Sequence, residues 1–167
     1  RVFFAEGESL MLSLLRRVAS SFAVAGAAVA LGAALMVVTS ITLRALTTRP
    51  IPGDVELTQF AIALAISLSL PWCQLHHANI IVDFFTAKMS APTNAALDRL
   101  GALLLGVVMA LLAWRSAIGG WNAWTSQAGS MMLGFPEWIV YCGIVPPLAL
   151  TAVIGLVQAV RGFGDGV

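Results

Sequence analysis

A stretch of 26 residues without a charge, Val18–Leu43, constrains this chain more than any other feature. As an α-helix it would be roughly 39 Å long, which exceeds the ~30 Å hydrocarbon core of a bilayer. It is also longer than the apolar region of a signal peptide, which has about 7–15 residues. Hydrophobic residues make up 59% of the chain and charged residues 10%, against about 45–50% and about 25% in soluble domains. These features predict an integral membrane protein.

Hydropathy predicts four membrane spans and therefore an all-α membrane fold. The predicted spans cover residues 18–43, 55–75, 100–118 and 136–160. Pro136 suits the first turn of the fourth span. Pro146 and Pro147 should kink that span, because two backbone donors are lost there. We expect residues 1–167 to form a single integral membrane domain with four transmembrane helices.

Amphipathic segments next to the spans predict additional interfacial helices. Leu10–Val18 places apolar residues on one helical face and two arginines on the other. Trp114–Ala128 separates an aromatic stripe from a polar one, and Ile80–Met89 is a weaker case because Lys88 lies near its apolar face. Tryptophan is typical of the membrane boundary, and such stripes suit helices in the headgroup plane. The alternative is that these segments are the ends of tilted transmembrane helices.

The distribution of lysine and arginine predicts the orientation in the membrane. If the N-terminus is cytoplasmic, six basic residues lie inside and three outside, which satisfies the positive-inside rule. The inner six are Arg1, Arg16, Arg17, Lys88, Arg99 and Arg161, and the outer three are Arg44, Arg49 and Arg115. Arg115 is expected to snorkel toward the outer boundary. Both termini are therefore expected in the cytoplasm.

The connection between the first two spans concentrates charge. Arg44 ends the first span, Arg49 lies in the loop, and Asp54 and Glu56 begin the second span. Asp54 suits an N-cap, and Glu56 falls in the first turn, where the helix dipole favours an anion. Alternatively, Glu56 pairs with Arg44, or with an arginine of a partner subunit, in a partly lipid-shielded site. The candidate structural or interface residues are accordingly Arg44, Asp54, Glu56, Trp114, Trp121 and Trp124.

The sequence carries no pattern typical of catalysis or metal binding. It has no phosphate-binding glycine loop, nucleophile elbow or metal-ligand spacing, and a net charge of +1 gives no basic patch for nucleic acid. His76 and His77 are adjacent, so on a helix they point about 100° apart and suit an interfacial polar pair better than a haem site. Cys73 and Cys142 lie near opposite membrane faces, which predicts free thiols. We expect no enzymatic activity, no cofactor and no metal.

Four short segments carry a family resemblance. They are Ile51–Thr58, His77–Asp83, Gly134–Trp138 and Ile144–Pro147. With Arg44 at the end of the first span, their order and spacing are similar to those of the small membrane subunit (the Q, or DctQ-like, component) of tripartite ATP-independent periplasmic (TRAP) transporters. Size and span layout agree, so the resemblance covers nearly the whole chain. The family favours a basic residue before the His77 segment, where this chain has Gln74 and His76.

The resemblance implies a subunit of a cation-driven uptake system for organic acids, such as dicarboxylates or sialic acid, in a bacterial inner membrane. It implies a large membrane subunit (the M component) that holds the substrate and ion sites, and a periplasmic binding protein that delivers the substrate. The small subunit would be an obligatory scaffold among membrane lipids, with a contribution to docking of the binding protein. The sequence shows no internal repeat, which also favours a supporting subunit over a carrier. The alternatives are a haem-bearing or anchoring membrane subunit of a redox enzyme, using His76 or His77, and an unrelated small four-helix membrane protein.

Overall fold

The computed structural model describes residues 2–47, 51–76 and 91–161, which form four α-helices. Their bounds are α1 Val2–Thr47, α2 Asp54–Leu75, α3 Ala91–Thr125 and α4 Glu137–Arg161. Each helix contains a stretch long and apolar enough to cross a membrane. These stretches are Ser13–Thr47, Asp54–Leu75, Ala96–Thr125 and Glu137–Val160. The predicted all-α fold with four membrane-spanning helices is confirmed.

Two of the segments expected to be interfacial helices are instead ends of the long helices. Leu10–Val18 lies within α1, and Trp114–Thr125 is the last part of α3, with no interruption of either helix. Neither stretch contains a proline, so the backbone hydrogen bonds continue into the adjoining span. The structure therefore agrees with the alternative of extended transmembrane helices at these two places. The third expected segment, Ile80–Met89, lies outside the described residues.

The helices pack as a row in the order α1, α2, α4, α3. Contacts are extensive between α1 and α2, between α2 and α4, and between α3 and α4, whereas α1 meets α4 only marginally. The buried share of the most apolar window is 33% in α4 but only 6% in α1. The central pair α2–α4 is thus covered on two sides, while α1 and α3 each keep a long uncovered face.

The central helices α2 and α4 are parallel. Near the start of α2, Glu56 contacts the loop that leads into α4, and near the end of α2, Gln74 contacts Gln158 near the end of α4. We call these two ends of the molecule the Glu56 end and the Gln74 end. Eighteen residues of α2 separate them (56 to 74), or about 27 Å, which is close to the thickness of the hydrocarbon core.

Between its two ends the α2–α4 interface is effectively apolar. Its hydroxyl groups bond within their own helices, since Ser67 donates to the Ala63 carbonyl at 2.8 Å and Thr151 donates to the Pro147 carbonyl at 2.8 Å. At the Gln74 end, the Gln74 amide donates to the Gln158 side chain at 2.7 Å. The Gln158 side-chain amide donates back to the backbone carbonyl of Gln74 at 3.1 Å. Gln74 is only 5% exposed, so this pair provides a directional contact that the middle of the interface lacks.

Small residues allow close approach in both helical hairpins. In α3–α4, a Cβ on Gly155 would lie 3.0 Å from the Gly106 Cα, so the two backbones are in direct contact. In α1–α2, a Cβ on Gly26 would lie 3.0 Å from the Ala65 carbonyl oxygen. Such contacts suit helix association in lipid, where dispersion between close backbones replaces the hydrophobic driving force.

Candidate interaction site at the Glu56 end

The α1–α2 connection is closed by a buried serine. Ser40 of α1 is 2% exposed, and its hydroxyl donates to the Asp54 carboxylate at 2.6 Å while accepting the Ile51 N–H at 3.3 Å. The residue that caps α2 is Gly53, with a left-handed φ of 75°, and not Asp54. Asp54 instead lies in the first turn and holds α2 to α1.

Glycine is required at position 53 by both conformation and space. A φ of 75° disfavours residues with a Cβ. A Cβ there would also lie 2.5 Å from the Leu133 Cγ of the α3–α4 loop. The turn that begins α2 therefore packs directly on the connection between the other two helices.

Glu56 joins the two helical hairpins through the backbone of the α3–α4 loop. Its carboxylate accepts the Met132 N–H at 2.9 Å and the Leu133 N–H at 3.3 Å. The Ser130 hydroxyl and the Met131 N–H also face this carboxylate. The pairing with Arg44, one of the alternatives from the sequence, is not formed, and the hydrogen bonds of this carboxylate come from the backbone of the loop. Glu56 thus ties α2 to the loop that leads into α4.

The loop that receives Glu56 is a small closed structure. Gly129 and Pro136 form an isolated antiparallel bridge, and the Glu137 N–H donates to the Ala128 carbonyl at 3.1 Å. Between them, the Ser130 N–H donates to the Phe135 carbonyl at 3.0 Å, and the Phe135 N–H donates to the Ser130 hydroxyl at 3.2 Å. These bonds turn the Met131–Leu133 N–H groups toward α2.

Three carboxylates lie at the two helix N-termini of this end. Asp54 and Glu56 are in the first turn of α2, and Glu137 is in the first turn of α4. Because α2 and α4 are parallel, their positive dipole ends lie side by side, and anions there offset the repulsion between them.

Arg44 lies apart from these carboxylates. It is exposed in the last turn of α1, one helical turn beyond Ser40, or about 6 Å along the axis. Since Ser40 is level with Asp54, the Arg44 side chain lies beyond the start of α2 and is accessible to a partner. Arg49 is outside the described residues.

The three candidate tryptophans are all exposed on α3. Trp114 is 67% exposed, Trp121 69% and Trp124 49%. Trp124 meets Trp138 of α4 edge-on, with ring centroids 4.8 Å apart. Trp121 and Trp124, with Trp138, line an apolar groove of about 500 Å³ between α3 and α4. None of the candidate tryptophans is buried in the core between the helices, and the structure does not bring them to the Glu56 carboxylate.

The tip of the α3–α4 loop is an exposed apolar cluster. Met131 is 102% exposed, Met132 70% and Leu133 43%. Their backbone is held by Glu56, so the side chains are presented on an ordered support. We call these three residues the Met131 tip.

The remaining candidates from the sequence lie at or near the Gln74 end or in the groove. The His76 ring packs on Trp72 with centroids 3.9 Å apart, and His76 is exposed; His77 is outside the described residues. Cys73 is half-buried and Cys142 exposed, and both are free. Among the described residues, no group of three or more His, Cys, Asp or Glu side chains is arranged to hold a metal.

Sequence reasoning missed Ser40, Ser130 and the Gln74–Gln158 pair. The hydroxyls lie among many serines and threonines that only bond within their own helix, as Thr39 does to the Leu35 carbonyl. Gln74 and Gln158 are 84 residues apart, and nothing local marks them as partners. A signal was nevertheless present, because an amide inside an apolar span requires a partner.

The geometry identifies the class of protein, and comparison with known families then identifies the family. Four continuous apolar helices, joined at one end by backbone-directed carboxylates, make this a multi-pass membrane protein whose polar contacts serve its own assembly. Residues 33–165 match the family described as tripartite ATP-independent periplasmic transporters, DctQ component. The chain belongs to this family of transporter subunits, which are inner-membrane proteins and not enzymes. Neither a curated protein nor a solved structure is detectably similar to it.

Proposed function

We propose that this subunit is a static scaffold that braces the large membrane subunit of a TRAP transporter for organic acids. The observation that carries the proposal is that the four described spans are unbroken helices. Carriers bind ions and substrates at discontinuous helices near the membrane middle, and the described part of this chain offers no such break. On this proposal, binding of ion and substrate and the transport movement belong to the large membrane subunit.

The row of helices provides the surface for that partner. Only 6% of the apolar window of α1 and 17% of that of α3 are buried. A chain that completed its own bundle would cover these faces, whereas a scaffold that widens a larger subunit would leave them open. Trp114, Trp121 and Trp124 lie on the flank of α3 and would set its depth or contact the large subunit.

In the orientation that the distribution of lysine and arginine predicts, with both termini in the cytoplasm, the Glu56 end would lie at the periplasmic face. The Met131 tip then faces the periplasm, where the binding protein delivers substrate. Methionine side chains adapt to varied apolar surfaces, and the ordered loop lowers the entropy cost of contact. The Met131 tip is therefore our candidate for a contribution to docking, with Arg44 as an accessible charge nearby.

Complementation of uptake tests this function. The chain, the large subunit of the same transporter and their binding protein are expressed in a bacterium that lacks the system, and uptake of organic acids is measured. We expect uptake only when all three are present. Uptake that persists without this chain would contradict an obligatory scaffold.

A substitution at the loop tip tests the docking role separately. Met131→Asp should raise the binding-protein concentration needed for half-maximal uptake while leaving recovery of the two membrane subunits unchanged. The matched control is Leu46→Asp, because Leu46 is also an exposed apolar residue, 78% exposed, near the same end. Equal half-maximal concentrations in the two variants would exclude the tip from docking.

A further inference from the structure

The packing of α3 on α4 fixes the depth of every residue between two contacts. Gly106 lies against Gly155, and Gly120 lies against Tyr141, where a Cβ on the glycine would be 2.8 Å from the Tyr141 Cβ. Fourteen residues separate the two contacts on α3 (106 to 120) and on α4 (141 to 155). The two helices therefore keep the same register between the contacts, and Pro146 of α4 lies at the same depth as residue 115 of α3.

This level is deep inside the membrane-spanning part. Pro146 is nine residues from Glu137 at the start of α4, or about 14 Å, and twelve from Gln158, or about 18 Å. The distance between those two residues along α4 is close to the ~30 Å thickness of a hydrocarbon core. An extended arginine side chain is shorter than either distance. Helical side chains also lean toward the helix N-terminus, which for Arg115 is the direction of the Gln74 end, the more distant of the two. At this depth, snorkelling alone would not bring the charge of Arg115 to water.

Arg115 lies on the face of α3 that points away from α4. The residues facing α4 are small and buried, and include Ala102, Gly106 and Ala113. On the opposite side, residues at helical spacing are all exposed. This surface, the Arg115 face, consists of Leu104, Val108, Leu111, Arg115, Ile118 and Asn122. An apolar stripe with one charged residue suits another helix, because the charge fixes register and partner choice.

The chain itself has no carboxylate for this position. The acidic residues of the described helices lie at or near helix starts: Glu6 and Glu8 in α1, Asp54 and Glu56 in α2, Asp98 in α3 and Glu137 in α4. The other two in the sequence, Asp83 and Asp165, fall outside the apolar spans. A second copy of the chain would therefore bring no anion to Arg115, and a lipid phosphate stays at the membrane boundary.

We propose that the Arg115 face docks a transmembrane helix of the large membrane subunit, and that an Asp or Glu in the middle of that helix pairs with Arg115. The inference rests on the proposed scaffold function. An arginine at this depth is costly unless it meets an opposite charge or a polar cavity. Charge complementarity thus selects a helix that carries a carboxylate.

Co-purification tests the pairing. The tagged full-length chain is expressed with the large subunit, and the large subunit retained in mild detergent is measured. Arg115→Glu should lower retention at least tenfold, and Arg115→Leu severalfold. Arg99→Leu, which removes an exposed arginine near the start of the same helix, should change it less than twofold. An Asp or Glu to Lys change in the contacting helix should restore retention of the Arg115→Glu variant.

A photo-crosslinker keeps the test decisive if a charge variant fails to insert. Benzoylphenylalanine replaces Leu111, one helical turn from an unchanged Arg115. We expect a product with a large-subunit peptide that contains an Asp or Glu within two turns of the crosslink. A crosslinked homodimer, or labelling of lipid alone, would overturn the proposal. If the wild-type chain retains no large subunit, the scaffold function fails; if Arg115→Glu retains it as well as wild type does, only the pairing fails.

Discussion

Single side chains at the Glu56 end act mainly on backbone groups of the same chain. Ser40 connects Asp54 with the Ile51 N–H, and the Glu56 carboxylate accepts hydrogen bonds from N–H groups of the α3–α4 loop. Anions are favoured there because two helix N-termini are adjacent. Local sequence predicted Glu56 in the first turn of α2 and Asp54 as its N-cap, whereas Gly53 is the cap. The partners of both carboxylates depended on the long-range arrangement of the hairpins.

Glu56→Gln should loosen the α3–α4 loop. The glutamine NH₂ would point at backbone N–H donors, whereas the carboxylate offers acceptors to all of them. We expect a lower melting temperature in detergent and faster proteolysis at Met131–Leu133. Glu137→Gln is the matched control, because it removes a first-turn carboxylate without changing the loop contacts. Equal effects of the two substitutions would leave Glu56 only the dipole role expected from the sequence.

The helices themselves were largely predictable, and their partners were not. Hydropathy predicted the four spans, and Pro136 lies one residue before α4 begins. Gly26 and Gly106 permit close approach of a neighbouring helix, but only the structure shows that their partners are Ala65 and Gly155. The expected interfacial helices were drawn from amphipathic stripes, and such stripes do not tell a separate helix from the continued end of a span.

Gly106 should tolerate no larger residue. A Cβ there would lie 3.0 Å from the Leu156 backbone nitrogen, so Gly106→Val must push α3 away from α4. Overpacking of this kind costs about 1–3 kcal/mol, which a thermal melt of the purified subunit resolves. Gly101→Val is the control on the same helix, since nothing lies within 4 Å of its added Cβ. Equal melting of both variants would contradict the close α3–α4 contact.

The Gln74–Gln158 pair should show a non-additive response. Gln158→Leu removes the acceptor of the Gln74 amide, and Gln74→Leu removes the donor to the Gln158 side-chain oxygen but keeps the backbone carbonyl to which Gln158 donates. The loss of a bond by a buried amide costs about 1–3 kcal/mol. The double change loses only the net free energy of an interhelical hydrogen bond, which averages about 0.6 kcal/mol in a membrane protein. The double variant should therefore melt closer to wild type than either single variant does. Additive losses would argue against a direct bond between the two side chains.

The three exposed tryptophans should matter to the complex more than to the fold. Replacing Trp114, Trp121 and Trp124 together with Ala removes side chains that are all at least 49% exposed, so helix content by circular dichroism should stay unchanged. Retention of the large subunit in detergent should fall severalfold. The control is Leu31→Ala, an α1 residue that is 63% exposed. Loss of helix content or of membrane insertion in the triple variant would instead assign the tryptophans to folding.

The described part of the chain, taken as one unit, is a row of four helices with two open sides. Polar contacts at its two ends hold α2 and α4 in a fixed register, and the apolar interior between them offers no alternative bond. Such an arrangement suits a part that stays still while a partner moves. Under the proposed scaffold function the substrate is chosen elsewhere in the transporter, so the chain would need only shape, depth and a complementary surface.

Reconstitution into liposomes tests the scaffold account most directly. Three preparations are compared under a sodium gradient, with the binding protein and labelled organic acid outside: this chain alone, the large subunit alone, and both together. The account predicts uptake only by the pair. Gradient-dependent uptake by this chain alone would contradict it.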